Sequence, residues 1–599
     1  MRLSEKMNSL IKKLPNIYHQ TISSRGVTYV KSFDENKWLP EKKYAIKTNT
    51  RTIGKINSGN GAGLILFEES FLKSRPEYKD IAIVRYYDEE QKKWELRIEE
   101  DHSSEIITSL KVNSKHEVTD VISVGTYLLF TKLIEKDTLL ESLKSVFPDT
   151  YKQLLSLAYY CLDECDFKSN RYAIYAKEHK LPYQVPLTPA AITRLFQSVT
   201  EADELNFFSH YFESLYKASG TSRRRFWALD STSISTYSKY LDAKFGHNKQ
   251  EENIPQINIV LLTDQKTGRP LYYSRFNGSI PDISTVSFTF DNLLHIGARS
   301  FVAVMDRGYY SNDNLNEILS CGYHFLICVP LDKVDTFKDV LLEAAQAFIC
   351  GDKYESAIDE NVFTKKIVYE YKNKGKKLKK DLFVHVFYDQ ERAGAVTKHI
   401  QKRRVEVMKM LKEHMTLDGN NQSFAKKYLI QEEDGLIRIN NEAFQEANSK
   451  AGIFVCVSDC IGEGKQAFYG YKDRRTVEDC FNDLKVKMSC DRFNTSSEES
   501  LPGKCFVEFI ALSLHMRIEY LLRKMKENGV KLPHHSVRTI LRDLQGIKTV
   551  EFGDGYSAVK TISRTQKETL KLFHVPEPVS QYRKNIAVPN MIKHARKPH

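Results

Sequence analysis

Continuous apolar runs in the middle of the chain give the strongest structural signal. RRRFWALDSTSIST predicts a strand carrying Asp230, QINIVLLTD a second strand and PLYYSRFNG a third. Runs of this kind are expected of strands buried on both faces. Three consecutive strands imply an antiparallel meander. Ser284 then reads as the cap of a helix through VSFTFDNLL, with Gly297 after its end. FVAVMD is a buried strand ending in Asp306; Ser311 caps the next helix, Gly322 follows it, and HFLICV is another buried strand.

Three meander strands, helix, strand, helix, strand is the order of a ribonuclease H-like core, so the predicted fold class is α/β. Residues 331–450 interrupt that core as a basic, β-rich insertion. KKIVYEYKNKGKKLKKDLFVHVFY reads as a long hairpin whose tip, Lys372 to Lys380, holds six lysines, and a basic helical stretch follows from Arg392 to Met415. AGIFVCVSD resumes the core as a strand, Tyr471 to Lys485 reads as one α-helix, and LPGKCFVEFIALSLHMRIEYLLRK as an apolar helix too polar to span a membrane.

The flanks are less telling. VTYVKSF and KYAIKTN alternate as strands, and KTNTRTIGKI is either a groove-binding basic ribbon or an ordinary hairpin with a solvated face. Residues 118–216 read as helical, with Thr188 as an N-cap and Pro189 at the first helical position. Two short helices ending in the basic TSRRR are a DNA-binding module or a plain helical subdomain. The last sixty residues predict a helix, a hairpin around Gly553 and Gly555, another helix and a basic tail. The expected segments are 1–115 (β-rich, possible DNA binding), 116–220 (helical, possible DNA binding), 221–330 (first part of the core), 331–450 (insertion), 451–525 (second part of the core) and 526–599 (C-terminal).

Composition narrows the function classes. At about 150 residues per domain, 599 residues suggest three or four units. No run of 18 apolar residues appears and the amino terminus lacks an apolar signal core, so a cytoplasmic protein without a membrane partner is expected. Ten cysteines are too sparse for a disulfide scaffold. Cys161/Cys165 and Cys456/Cys460 are C-x3-C pairs without a nearby histidine in sequence, and read as buried thiols. A formal net charge of +12 favours a polyanionic partner.

The candidate chemistry lies in three carboxylates. Asp230 and Asp306 each follow an apolar run, where a buried strand meets its end and ligand groups project from an open α/β sheet. On a helix, Tyr471, Arg474, Glu478 and Lys485 share one face about 60° wide. Singly, each aspartate reads as a turn residue and the helix face as a solvated one. Together, three carboxylates make a hard-oxygen site suited to two Mg²⁺ ions, which accept incomplete protein coordination and serve phosphoryl transfer. Arg474 and Lys485 fit phosphate oxygens, and Tyr471 a further hydrogen bond.

DST at Asp230, DRGYYS at Asp306 and Y-x2-R-x3-E-x6-K from Tyr471 to Lys485 resemble the DDE transposases of bacterial insertion sequences, more narrowly the insertion-sequence-four superfamily with its Tyr-Arg-Glu-Lys signature. The interval of 172 residues between Asp306 and Glu478 agrees with that family's insertion before the glutamate helix. The resemblance covers about 220–525 well. It implies that Asp230, Asp306 and Glu478 ligate two Mg²⁺ ions, with Mn²⁺ substituting, and that Tyr471, Arg474, Lys485 and Arg307 contact DNA. The implied partner is double-stranded DNA, the element's terminal inverted repeats and its target, bound by a homodimer in the bacterial cytoplasm, at the nucleoid when on DNA. The implied reaction is nicking at the element's end followed by 3′-hydroxyl strand transfer, in cut-and-paste transposition. In some relatives a tryptophan in the insertion stacks on a flipped base; here Trp38, Trp94 and Trp227 all lie outside it, so a hairpin intermediate would need one of the insertion's tyrosines or phenylalanines instead. The alternative is a catalytically silent former transposase acting as a DNA-binding repressor.

Overall fold

The computed structural model describes residues 10–22, 27–40, 44–56, 61–78, 82–88, 91–98, 118–219, 225–238, 240–246, 254–349, 351, 353–373, 375–432, 436–495, 497–552 and 556–582. The chain divides into two compact units. One is built from Met1–Lys132, Ile174–Leu181 and Pro533–His599, the other from Leu133–Ala173 and Pro182–Leu532.

The second unit is organised on a nine-stranded mixed sheet. Its elements, in chain order, are β1 (Arg225–Ser235), β2 (Gln256–Asp264), β3 (Pro270–Asn277), α1 (Val286–His295), β4 (Phe301–Met305), α2 (Asn312–Ser320), β5 (His324–Val329), β6 (Tyr354–Glu355), β7 (Glu360–Asn373), β8 (Lys376–Tyr388) and β9 (Ile453–Ser458). The strands lie in the order β3-β2-β1-β4-β5-β9-β8-β7-β6. β1 and β2, and β2 and β3, pair antiparallel; β1, β4 and β5 run parallel; β9 and the long hairpin strands complete the sheet antiparallel. Helices cover the central strands, which explains why β4 and most of β5 are apolar at every position. Trp227 of β1 stacks on Phe301 of β4 with ring centroids 4.2 Å apart, fixing two strands from different parts of the chain.

Past the sheet, α3 (Gly464–Lys472) and α4 (Arg475–Asn482) pack on its strands, and α5 (Leu501–Glu527) packs on the edge strand β3 and on the helices Tyr151–Glu164 and Pro189–Gln197. Phe468 and Ala467 of α3 bury against Val302, Val304, Leu326 and Cys456. A Cβ at Gly470 would stand 3.1 Å from both Leu326 and Phe226, so glycine lets α3 lie close to the sheet.

Several expectations are corrected. Asp230 is the sixth of eleven residues in β1, well short of its end, because Ser231, Thr232, Ser233 and Ser235 continue the strand with buried side chains. Ser284 does not cap α1; it lies inside a 3₁₀ turn, Asp282–Thr285, that leads into the helix. Segment 331–450 is mixed: its hairpin joins the main sheet, while Gln390–Lys412, Gly419–Tyr428 and Asn441–Lys450 are helices with their own core around Val407, Phe424, Tyr428 and Phe444. Val118–Ser123, expected in a helical region, is a strand of the first unit paired with Lys548–Phe552. Cys161 and Cys456 are buried as expected, but Cys165 and Cys460 are half-exposed.

Other expectations agree. Thr188, Ser311, Pro189, Gly297 and Gly322 occupy the helix-end positions read from the sequence. The hairpin tip at Gly553 and Gly555, residues 221–224 of TSRRR, Lys374 and the basic tail lie outside the described residues.

Candidate functional site

β1 and β4 are neighbours, parallel, and in a register that pairs Leu229 with Met305. Asp230 and Asp306 are each the next residue, on strands about 4.8 Å apart. Alignment of two chain segments some seventy residues apart thus places two carboxylates side by side. Asp306 leaves β4 in extended conformation and starts a short 3₁₀ turn, Arg307–Tyr309, that carries Arg307 into solvent.

The third carboxylate arrives from α4. Tyr471 to Lys485, expected as one helix, is broken in two places. α3 ends at Lys472, and the chain turns through Asp473 and Arg474, where the Thr476 N–H and Oγ1 donate to the Asp473 carbonyl at 3.1 and 2.6 Å. α4 then gives way to a π-helical turn, Asp483–Lys487. Asp483 anchors that turn, accepting from His515 of α5 at 3.0 Å and pairing with Lys487 at 2.8 Å. π-turns inside α-helices recur at functional sites.

These breaks aim the four signature residues at different partners. The Tyr471 hydroxyl donates to Asp306 at 2.8 Å. The Arg474 guanidinium contacts Asp230 at 3.4 Å and Glu478 at 2.7 Å. Lys485 turns toward β1 and donates to the Ser233 carbonyl at 2.6 Å. The structure therefore joins Asp230 to Glu478 through Arg474 and Asp306 to Tyr471, with the Arg474 guanidinium 5.6 Å from the centre of the Tyr471 ring; Lys485 is bonded to the Asp230 strand, and Arg307 is exposed.

The electrostatics follow from that arrangement. Burial opposes the charge of Arg474, but Asp306, Tyr471, Asp230 and Glu478 together hold its guanidinium above the ordinary value. Burial, with the Cys328 and Asp306 charges, pushes the Tyr471 phenol well up, so it stays a donor. Arg474 and Asp230 are nearly buried, with side chains 12% and 14% exposed, whereas Glu478 is 49% exposed and open to a ligand.

Sequence reasoning missed three neighbours. Ser231 Oγ donates to Asp282 of the 3₁₀ turn, adding a fourth carboxylate near Asp230. Tyr309 is fully buried; burial and the charges of Asp230 and Asp282 drive its phenol far above its usual range. DST and DRGYYS contain Ser231 and Tyr309, but no spacing marks Asp282, which reads as an ordinary helix-start residue.

The three carboxylates differ from the tight ligand clusters found elsewhere among the described residues: His324/Asp459/Cys460, Asp291/Glu317/Cys321 and Asp483/His515/Glu519, whose ligand atoms lie within 4.8 Å of one another. Two of those carry their own cation, Lys380 on Asp459 and Lys487 on Asp483. Asp230 and Glu478 are bridged by a guanidinium, and Asp306 is held by a phenol. A hard oxygen donor set, partly open to solvent and already gathered around one positive charge, fits a divalent cation such as Mg²⁺.

Residues 221–514 match the transposase DDE domain. The matched segment contains every candidate discussed, from Asp230 to Lys485, together with the insertion. No curated protein matches the chain. Among solved structures, a cryo-EM structure of a piggyBac transposase synaptic complex with hairpin DNA is similar at 12% identity, covering 70% of this chain and 69% of that one with a TM-score of 0.32. No described helix is long and apolar enough to cross a membrane.

Proposed function

We propose that the chain is a DDE transposase of the insertion-sequence-four type, cleaving DNA at the ends of its element and joining the freed 3′-hydroxyl to target DNA. The observation that carries this reading is the convergence of Asp230, Asp306 and Glu478 on the Arg474–Tyr471 pair, within the segment that matches the transposase DDE domain. The strand order β3-β2-β1-β4-β5, with a meander followed by two parallel strands, supports a ribonuclease H-like core.

Asp230, Asp306 and Glu478 would hold Mg²⁺, or Mn²⁺ in its place. Bound there, two such ions would supply an activated attacking oxygen and charge stabilisation for the leaving one. The chain's own residues do the remaining work. Tyr471 holds Asp306 through its hydroxyl and fixes that carboxylate's orientation. Arg474 is bonded to oxygens of Asp230 and Glu478 that would hold a cation, and on giving them up its guanidinium would be available to phosphate. Lys485, steadied on the β1 backbone, and Arg307, in solvent one residue after Asp306, stand on either side as phosphate contacts. The partner is double-stranded DNA, and cutting two ends in one assembly calls for a homodimer on DNA. Cytoplasmic residence in a bacterium belongs to the same reading.

The test is cleavage of labelled duplex carrying the DNA that borders the gene, with Mg²⁺ or Mn²⁺. Wild type nicks and Glu478→Gln binds without nicking. Equal nicking by the variant removes the metal assignment. Binding without nicking by wild type supports the silent repressor instead.

A further inference from the structure

The C-x3-C pair Cys456/Cys460 has no histidine near it in sequence, but folding brings one to Cys460. His324 opens β5, and Asp459 and Cys460 form the bend that closes β9, its antiparallel neighbour. Ligand atoms of the three residues lie within 4.8 Å of one another. His324 pairs with Val302, four residues before Asp306, so this cluster lies about 13 Å along the strands from the candidate catalytic carboxylates.

Backbone and side-chain bonds hold the cluster in place. Asp459 Oδ2 is bonded to His324 Nδ1 at 2.7 Å, and Oδ1 accepts from the Phe325 N–H at 3.0 Å. Ser458 Oγ donates to the Phe325 carbonyl at 2.7 Å and accepts from the Cys460 N–H at 3.2 Å. The Asp459 side chain is 1% exposed, whereas His324 and Cys460 are half-buried, which leaves one side of the cluster open to water.

Donor chemistry selects the ligand. Of the three tight clusters among the described residues, only this one combines imidazole nitrogen, carboxylate oxygen and thiol sulfur. That mixture suits Zn²⁺ rather than Mg²⁺, with a water completing a tetrahedron. Tetrahedral Zn²⁺ holds its donors about 3.3–3.8 Å apart, so an ion replacing the hydrogen bond parts His324 from Asp459 by only about 0.6 Å. The cluster around His515 is already closed by Lys487, which pairs with Asp483 at 2.8 Å and Glu519 at 3.0 Å. Here Lys380 reaches Asp459 at 3.5 Å and is 39% exposed, able to swing into solvent.

We infer that His324, Asp459 and Cys460 form a Zn²⁺ site that fastens β5, the last core strand before the insertion, to β9, the first after it. Binding releases the Cys460 thiol proton to solvent and leaves the His324 ring hydrogen on Nε2, while the ion displaces the Lys380 ammonium from Asp459. Oδ1 keeps its bond to the Phe325 N–H, which orients the ligating carboxylate. Nothing in this depends on the transposase reading.

The experiment is a spectroscopic titration of the full chain after chelator treatment, with Co²⁺ as the probe for Zn²⁺ and excess Mg²⁺ present to fill hard-oxygen sites. Wild type should show a thiolate-to-Co²⁺ charge-transfer band that saturates at about one ion per chain and is erased by Zn²⁺. Cys460→Ser should lose the band, and His324→Ala should weaken binding more than about tenfold. Asp230→Asn should leave both band and affinity unchanged. Lys380→Gln, at an exposed position outside the ligand set, should bind Co²⁺ about tenfold more tightly. No thiolate band in wild type, a band that survives Cys460→Ser or disappears in Asp230→Asn, or no gain in Lys380→Gln overturns the assignment.

Discussion

At the residue scale, Arg474 is the hinge of the account. A guanidinium between Asp230 and Glu478 offsets carboxylate repulsion, but it also occupies the oxygens a metal needs. Arg474→Ala should therefore bind Mn²⁺ about tenfold more tightly than wild type without DNA, a gain of about 1.4 kcal/mol, while binding DNA more weakly. Calorimetric titration with Mn²⁺ reads this directly; unchanged Mn²⁺ affinity would show that the guanidinium is no competitor. His385 gives a second residue-scale prediction. It is fully buried in β8, accepting from Thr364 at one ring nitrogen and donating to the Ile461 carbonyl from the other, at 2.9 and 3.0 Å. Burial depresses its pKa from 6.5 to about 4. The unfolded chain therefore binds the proton first as pH falls, and stability is lost from about pH 6.5 down to about pH 4. Between pH 7 and pH 5 this amounts to about 2 kcal/mol, so His385→Gln should lose correspondingly less over that interval in urea unfolding.

At the element scale, the strands were legible and the helix that brings Glu478 was legible only in part. β4 and β5 declare themselves because both faces are covered and every position is apolar or nearly so. β1 was recognised, but not the place of Asp230 within it: the residues after Asp230 continue the strand because the hydroxyls of Ser231, Thr232, Ser233 and Ser235 are buried, with Ser231 bonded to Asp282. The breaks at Asp473–Arg474 and Asp483–Lys487 were invisible because 471–485 keeps a helical apolar period through both. What produces them is tertiary: Thr476 also reaches the Gln265 carbonyl, and Asp483 bonds to His515 on another helix. Close helix packing gives an element-scale prediction. A Cβ at Gly503 of α5 would stand 2.4 Å from the Phe196 backbone, which cannot yield as a side-chain tip can. Gly503→Ala should cost about 2 kcal/mol, seen as a lower urea midpoint; an unchanged midpoint would mean the helices separate freely.

At the scale of the whole molecule, what the sequence hides is pairing over long distances. Val118–Ser123 was read as helical because its partner strand, Lys548–Phe552, lies more than 400 residues away. Deleting residues 533–599 should expose the amides of Val118–Ser123 to rapid hydrogen exchange; retained protection would contradict that pairing. The same long-range logic builds the candidate site, whose carboxylates come from two parallel strands and a helix beyond the insertion. Mn²⁺ binding followed by electron paramagnetic resonance tests that convergence most directly, with wild type compared against Asp230→Asn, Asp306→Asn and Glu478→Gln. The account predicts that each substitution weakens or abolishes the same bound-ion signal; undiminished Mn²⁺ binding in all three would contradict it.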